Sequence, residues 1–211
     1  MQLPQKSDRL SIQLMMPRKY DMSRRAAARE EMRRRIVEAT AKLHGERGVL
    51  GTTWRDIAEK ADVSVATVYS YFPSLDQLLP ACGQLVMERA RPPSADAVSA
   101  IIGDAEDLRE RLTRVARELF GFYERGGTHI EVDLRERELP GMREWEESQR
   151  ATVASFVREA LAGHAHKRKT RVVTAFFDLP TYKALRARGA SPISAAETVA
   201  EVAAYLVERA E

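Results

Sequence analysis

Between Thr53 and Phe72 the chain gathers side chains suited to hydrogen bonding rather than to covalent chemistry. From Val65 onward only Val68 and Phe72 are spaced to be held in a core. Ala66, Thr67, Tyr69, Ser70 and Tyr71 are therefore left facing outward. Hydroxyls and phenols reach phosphate oxygens and base edges, methyl groups meet the thymine methyl, and a guanidinium such as Arg55 grips a guanine edge or a phosphate. Such groups work only if a rigid element presents them together. Thr53 is placed to cap a first short helix, and Asp56 three residues later completes a capping box. Ile57, Ala58 and Ala61 form its small apolar face before Asp62-Val63-Ser64 breaks the period. Ser64 then caps a second helix by accepting from the free amides of its first turn. The pattern is a helix-turn-helix whose second helix suits a major groove.

The segment from Ile36 to Leu79 resembles the DNA-binding head of the TetR family of transcriptional regulators. The residues that carry the resemblance are Ala39, the Gly45 to Gly48 end of a first helix, Thr52-Thr53, Asp56-Ile57-Ala58, Ala61, Val63-Ser64, Thr67-Val68-Tyr69, Tyr71-Phe72 and Leu78-Leu79. The resemblance is close in this head and extends beyond it only as a helical layout. Two positions depart from the family pattern. Asp62 stands where the turn usually has Gly, and Asp tolerates the left-handed region better than most residues. Leu75 stands where a Lys commonly touches a phosphate. The resemblance implies a dimeric regulator, a repressor, whose recognition helices read a palindrome in major grooves about 34 Å apart or somewhat more. It implies Thr53, Arg55, Ser64, Val65, Ala66, Thr67, Tyr69, Ser70 and Tyr71 as the DNA-contacting set. It also implies a small-molecule effector held in the body, and dimerisation through the last two long helices as a four-helix bundle.

Composition agrees with one head and one larger helical body. A chain of 211 residues at 44% hydrophobic content buries that much core and little more. No window approaches the roughly 20 apolar residues of a bilayer span, and the N-terminus lacks the apolar segment of a secretory signal. The single cysteine, Cys82, excludes an intramolecular disulfide framework and fits a reducing cytoplasm. It reads as a small buried apolar residue. The net charge of +3 is unevenly spread. Arg18, Lys19, Arg24, Arg25, Arg29, Arg33, Arg34 and Arg35 form a basic lead-in that is either a phosphate-neutralising arm or a solvated segment. Residues 1–22 are expected to form this irregular arm, 23–90 the DNA-binding domain with its connecting helix, and 91–211 the body.

Helical periodicity is nearly continuous, so the expected fold is all-α. A first helix spans Arg24 to Glu46 and ends at Gly48. A fourth helix starts at Ser74, where Ser-Leu-Asp-Gln is another capping box, and runs toward Ala90. Pro80 lies inside it and favours a bend or a hinge. Arg91-Pro92-Pro93-Ser94 marks the boundary, and the stretch to Asp107 is a short helix or a loop. Leu108, Leu112, Val115, Leu119 and Phe122 then trace an amphipathic helix that Gly126-Gly127 stops. Thr128 to Glu138 is charged with a thin apolar stripe, Ile130 and Leu134. Further helices are expected over Met142 to Ala162, over Lys167 to Arg188 with Pro180 kinking or splitting it, and from Ser194, where Ser-Ala-Ala-Glu forms a capping box.

The sequence lacks a nucleotide-binding glycine loop, and no nucleophile has a base and an orienting partner, so an enzyme and a cofactor are not expected. His164 and His166 at i,i+2 do not share a helix face, which argues against a metal site. Leu112, Val115, Leu119, Phe122, Trp145, Phe156, Phe176 and Phe177 are ordinary core or, in part, the lining of an apolar cavity. Tyr182, Leu185, Thr198, Val199, Val202 and Leu206 are the expected dimer face. The expected partners are double-stranded DNA, a second copy of the chain and an unidentified small molecule, with no membrane. The competing reading is a helical small-molecule-binding or sequestering protein that keeps the fold without operator binding.

Overall fold

A computed structural model describes residues 22–139, 141–164 and 167–209. Residues 1–21 of the expected arm, with Arg18 and Lys19 of the basic lead-in, the turn residue Pro140, and His166 lie outside the described residues, whereas Met22 already belongs to the first helix. Among those described, all regular structure is helical. None of these helices is long and apolar enough to cross a membrane.

Four helices build the head. α1 (Met22–Arg47) buries Ile36, Val37, Ala39 and Leu43 along one face, and Gly48 stops it at a φ of +76°, a left-handed value that glycine adopts freely. α2 (Trp54–Lys60) and α3 (Val65–Tyr71) pack Ile57, Ala58, Val68 and Phe72 against that face. α4 (Leu75–Ala90) gives Leu78 to the head core and Ala90 to the body core, so one helix belongs to both. It continues through Pro80, which is exposed.

The body is α5 (Val98–Ile102), α6 (Leu108–Gly126), α7 (Met142–Ala160), α8 (Lys167–Phe176), α9 (Leu179–Arg186) and α10 (Pro192–Glu208). Short 3-10 turns occupy Ala95–Ala97, Gly127–Ile130 and Glu136–Glu138. α6 lies at the centre with Leu112, Val115, Ala116, Leu119 and Phe120 fully enclosed. It packs along the small-residue face of α10, where Ala196, Ala200 and Ala203 let the two backbones approach closely. Phe120, Tyr123 and Tyr182 form a tilted aromatic group with centroids 4.8–5.9 Å apart.

Three expectations are corrected. Ser74 precedes α4 but its hydroxyl caps nothing, because the amide of Gln77 instead meets the Ser74 carbonyl at 3.2 Å. The last helix starts at Pro192 rather than Ser194. Proline suits the first helical position, and the Ser191 hydroxyl accepts from the amide of Ser194 at 3.1 Å. Leu134, expected on an apolar stripe, is 74% exposed. Of the kink or split expected over 167–188 the structure has the split, two helices parted at Phe177 and Asp178 with Pro180 in the first turn of α9.

Candidate nucleic-acid interface

The turn between α2 and α3 is fixed by local hydrogen bonds. Thr53 Oγ1 accepts from the Asp56 amide at 3.2 Å while Asp56 Oδ2 accepts from the Thr53 amide at 2.9 Å, completing the capping box. The Thr53 hydroxyl also donates to Asp56, which holds that carboxyl below its usual range. Asp62 sits at a φ of +53°, the left-handed conformation the turn demands. The Val63 amide then closes back onto the Ala58 carbonyl at 2.9 Å. Ser64 Oγ caps α3 by accepting from the Thr67 amide at 3.0 Å. Every one of these bonds spans five residues or fewer, so the geometry is written locally in the sequence.

Of the expected contact set, Thr53, Arg55, Ser64, Val65, Ala66, Tyr69 and Ser70 are exposed. Thr67 is half-buried and shares a 2.8 Å contact with the Ser64 hydroxyl. Tyr71 is half-buried against the head core, with the Arg29 guanidinium 5.8 Å above its ring. Tyr69 is 44% exposed, and its ring stacks on Trp54 at 4.8 Å with 28° between planes. Sequence reasoning passed over Trp54. The signal was its place at the first position of α2, facing the exposed side of α3.

Residues 36–82 match the family model for bacterial regulatory proteins of the tetR family. Its head is a TetR-family head. The HTH-type transcriptional repressor KstR of Rhodococcus jostii (strain RHA1) is 46% identical over 52 residues, 25% of this chain and 24% of that protein. The HTH-type transcriptional regulator BetI of Rhizobium meliloti (strain 1021) is 35% identical over 88 residues, 42% of this chain and 41% of that one. The matches thus span between a quarter and two fifths of those relatives. A TetR-family transcriptional regulator from Streptomyces coelicolor has the same fold, with a TM-score of 0.59 at 21% identity over 84% of this chain and 80% of its own.

The basic lead-in of the TetR head is partly occupied within the protein. Arg34 holds Glu31 at 2.7 Å and Glu38 at 2.8 Å. Arg35 donates to the carbonyls of Ala61 at 2.5 Å and Asp62 at 3.4 Å, bracing the left-handed turn from α1. Arg33 lies 5.2 Å from the Phe72 ring centroid and near Glu30. These three are structural in the free protein. Arg24, Arg25 and Arg29 are exposed on the first turns of α1.

The body docks on the TetR head through the segment that follows α6, which sequence reasoning took for a charged connection. The Thr128 hydroxyl donates to the Gly45 carbonyl at 2.8 Å, and His129 Nε2 meets the Ala41 carbonyl at 2.9 Å. Glu136 Oε1 accepts from the amides of Val49 at 2.6 Å and Leu50 at 3.3 Å. Gly45 and Gly48 make the approach possible, since a Cβ on them would fall 2.5 Å from His129 Nε2 and 2.7 Å from Glu136 Oε1. A cleft of about 520 Å³ lies along this junction between His44, Cys82, Glu136 and Trp145.

A second cavity, about 720 Å³, opens between α6, α7, α9 and the segment after α6. Of the expected lining, only Phe122 and Trp145 reach it. Leu112, Val115, Leu119, Phe156 and Phe177 are closed into the core, and Phe176 packs partly buried against it. Sequence reasoning missed the polar wall of Glu131, Arg137, Glu146, Gln149, Arg150, Asp178 and Lys183. Alternation of acids with Arg and Lys had made these residues look like solvated ion pairs.

The expected dimer residues do not share one exposed face. Tyr182 and Val199 are buried within the protomer, and Leu185 is half-buried against its core. Thr198, Val202 and Leu206 lie on the outer face of α10, together with Tyr205.

Proposed function

We propose that the chain is a cytoplasmic, sequence-specific DNA-binding transcriptional regulator, a repressor that binds a palindromic operator as a homodimer and is released by a small molecule. The observation that carries this reading is α3, a helix capped at Ser64 and braced beneath by Val68 and Phe72, with Tyr69 and Ser70 turned outward beside Arg55. Its length and exposure suit a recognition helix, and the stacked Trp54 holds the Tyr69 ring in place for a phosphate or a thymine methyl. The likeness to KstR and BetI, repressor and regulator by name, supports the same reading.

Enrichment of random duplex DNA on the purified protein at physiological salt tests it. One palindromic motif, preferred over random sequence by about a thousandfold or more, is the expected outcome. A folded, dimeric protein that enriches nothing would favour the sequestering-protein reading. Tyr69→Ala should weaken operator binding by about 1–3 kcal/mol while the dimer stays folded. Unchanged affinity would remove α3 from the interface.

The homodimer reading rests on the outer face of α10. Val202, Tyr205 and Leu206 are 38–52% exposed there. Val202→Glu would place a charge at the centre of such a face and should weaken self-association roughly tenfold or more, read by sedimentation. Sedimentation identical to that of the parent protein would move the interface elsewhere.

A further inference from the structure

The cavity between α6, α7 and α9 contains one carboxylate, that of Asp178, with no ion pair of its own among the described residues. Lys183 is ion-paired with Glu131. Glu146, itself mostly buried, holds Arg137 at 2.7 Å and Arg150 at 2.8 Å. Among the described residues, Asp178 has no ion pair and its carboxylate accepts no hydrogen bond. It occupies the cap position of α9, yet its side chain caps nothing, because its own carbonyl accepts the amides of Thr181 at 3.1 Å and Tyr182 at 3.2 Å. The carboxylate is half-buried and lines the cavity instead. Burial pushes its carboxyl above the usual range, and the charge of Arg150 only partly offsets that. Leaving an acid partly desolvated without a partner costs stability that a bound cation would recover.

The walls around it are apolar and aromatic: Phe122, Tyr123, Trp145 and Leu179. The Tyr123 hydroxyl is committed to the Phe177 carbonyl at 3.0 Å, so that ring offers its surface rather than a competing donor. Aromatic faces attract a cation as well as an apolar body. An anion finds less. All three basic groups of the wall already hold carboxylates, and Arg137 Nε, buried without a partner, is sealed from solvent. A volume of about 720 Å³ lies within the range of drug-sized ligand sites.

We propose that this cavity takes an organic cation, a protonated or quaternary amine on an aromatic or aliphatic body, with its nitrogen against Asp178. The assignment names the ligand class of the regulator described above and rests on that reading for its consequence on DNA, though binding itself does not.

The test uses the full chain carrying Trp54→Phe, which leaves Trp145 in the cavity wall as the only tryptophan. Benzyltriethylammonium is titrated against benzoate and benzyl alcohol while Trp145 emission is followed. Saturable binding of the cation, tighter than either comparator by about tenfold or more, is expected. Asp178→Asn should abolish that preference while Asp178→Glu keeps most of it, with both variants unfolding at or above the parent's midpoint. Benzoate binding as tightly as the cation, an unchanged preference in Asp178→Asn, or no saturable binding of the cation would each overturn the proposal. Operator affinity of the parent chain, with Trp54 intact and no cation present, reports on the regulator reading separately, so the two can fail independently.

Discussion

Glu136→Ala is expected to cost about 2–3 kcal/mol of stability and to loosen the turn after α1 from the body. Glu136 is 7% exposed, the only buried acidic side chain among the described residues, and its Oε1 serves two amides of the turn after α1. Hydrogen bonds to a charged acceptor are worth about 1.5–3 kcal/mol, and the amides left behind keep their desolvation cost. The loss is not larger, because Leu50 is exposed and its amide can turn to water, whereas Val49 is half-buried. Glu136→Gln keeps a carbonyl acceptor and should recover about half of the loss. The checks are denaturant unfolding and hydrogen exchange at the Val49 amide, which should speed up in both variants and more in Ala. Exchange at the parent's rate would mean that Glu136 does not hold the head. Residues flanking Glu136, namely Ile130, Glu131, Val132 and Arg137, line the cavity assigned above. Operator affinity should therefore respond to Glu136 even though it belongs to the body rather than to α3.

The head was legible because its determinants are local. Thr53 with Asp56, Ser64 with Thr67, and the left-handed Asp62 act within a few residues of one another, and the helical period exposes which side chains they present. The cap of α10 was harder, since Ser191 and Ser194 both fit a cap and only the preference of Pro192 for a first turn separates them. The docking of body on head was not legible at all. Thr128, His129 and Glu136 reach partners 83 to 88 positions away along the chain, and in one sequence they resemble any charged connection. The cavity misled for a related reason. Apolar spacing on α6 reports which side chains leave water, not whether they meet protein or an opening. Leu112 and Val115 meet α10 and its neighbours, while the opening is walled by residues whose charges suggested solvent. Along α10 one wide apolar stripe proved to be two faces, alanines turned inward and Val202 with Leu206 turned outward.

Acid should weaken the fold between pH 6.5 and about 4 through His44, by on the order of 3 kcal/mol. His44 is packed between α1 and α4 with Nδ1 3.7 Å from Cys82 Sγ, a thiol that burial pushes up to about 11. Burial lowers the imidazole to about 4; the Glu136 charge pulls it back up, and His129 pushes it further down. The folded value therefore lies below the unfolded one, and within that window the unfolded chain binds the extra proton. The stabilisation is complete above pH 6.5, declines as the pH falls, and is lost by about pH 4. Asp178 acts in the opposite sense, because a carboxyl raised by burial gains stability for the fold as it protonates. The difference between the parent and His44→Gln isolates the imidazole from that background. Unfolding free energies from urea titrations across this range should converge toward acid, with the parent losing the advantage it holds at neutral pH. Parallel curves would show that His44 is charged or solvated in the fold. Glu136→Gln should deepen the dependence, since it removes the only carboxylate that favours the imidazolium while leaving the burial unchanged.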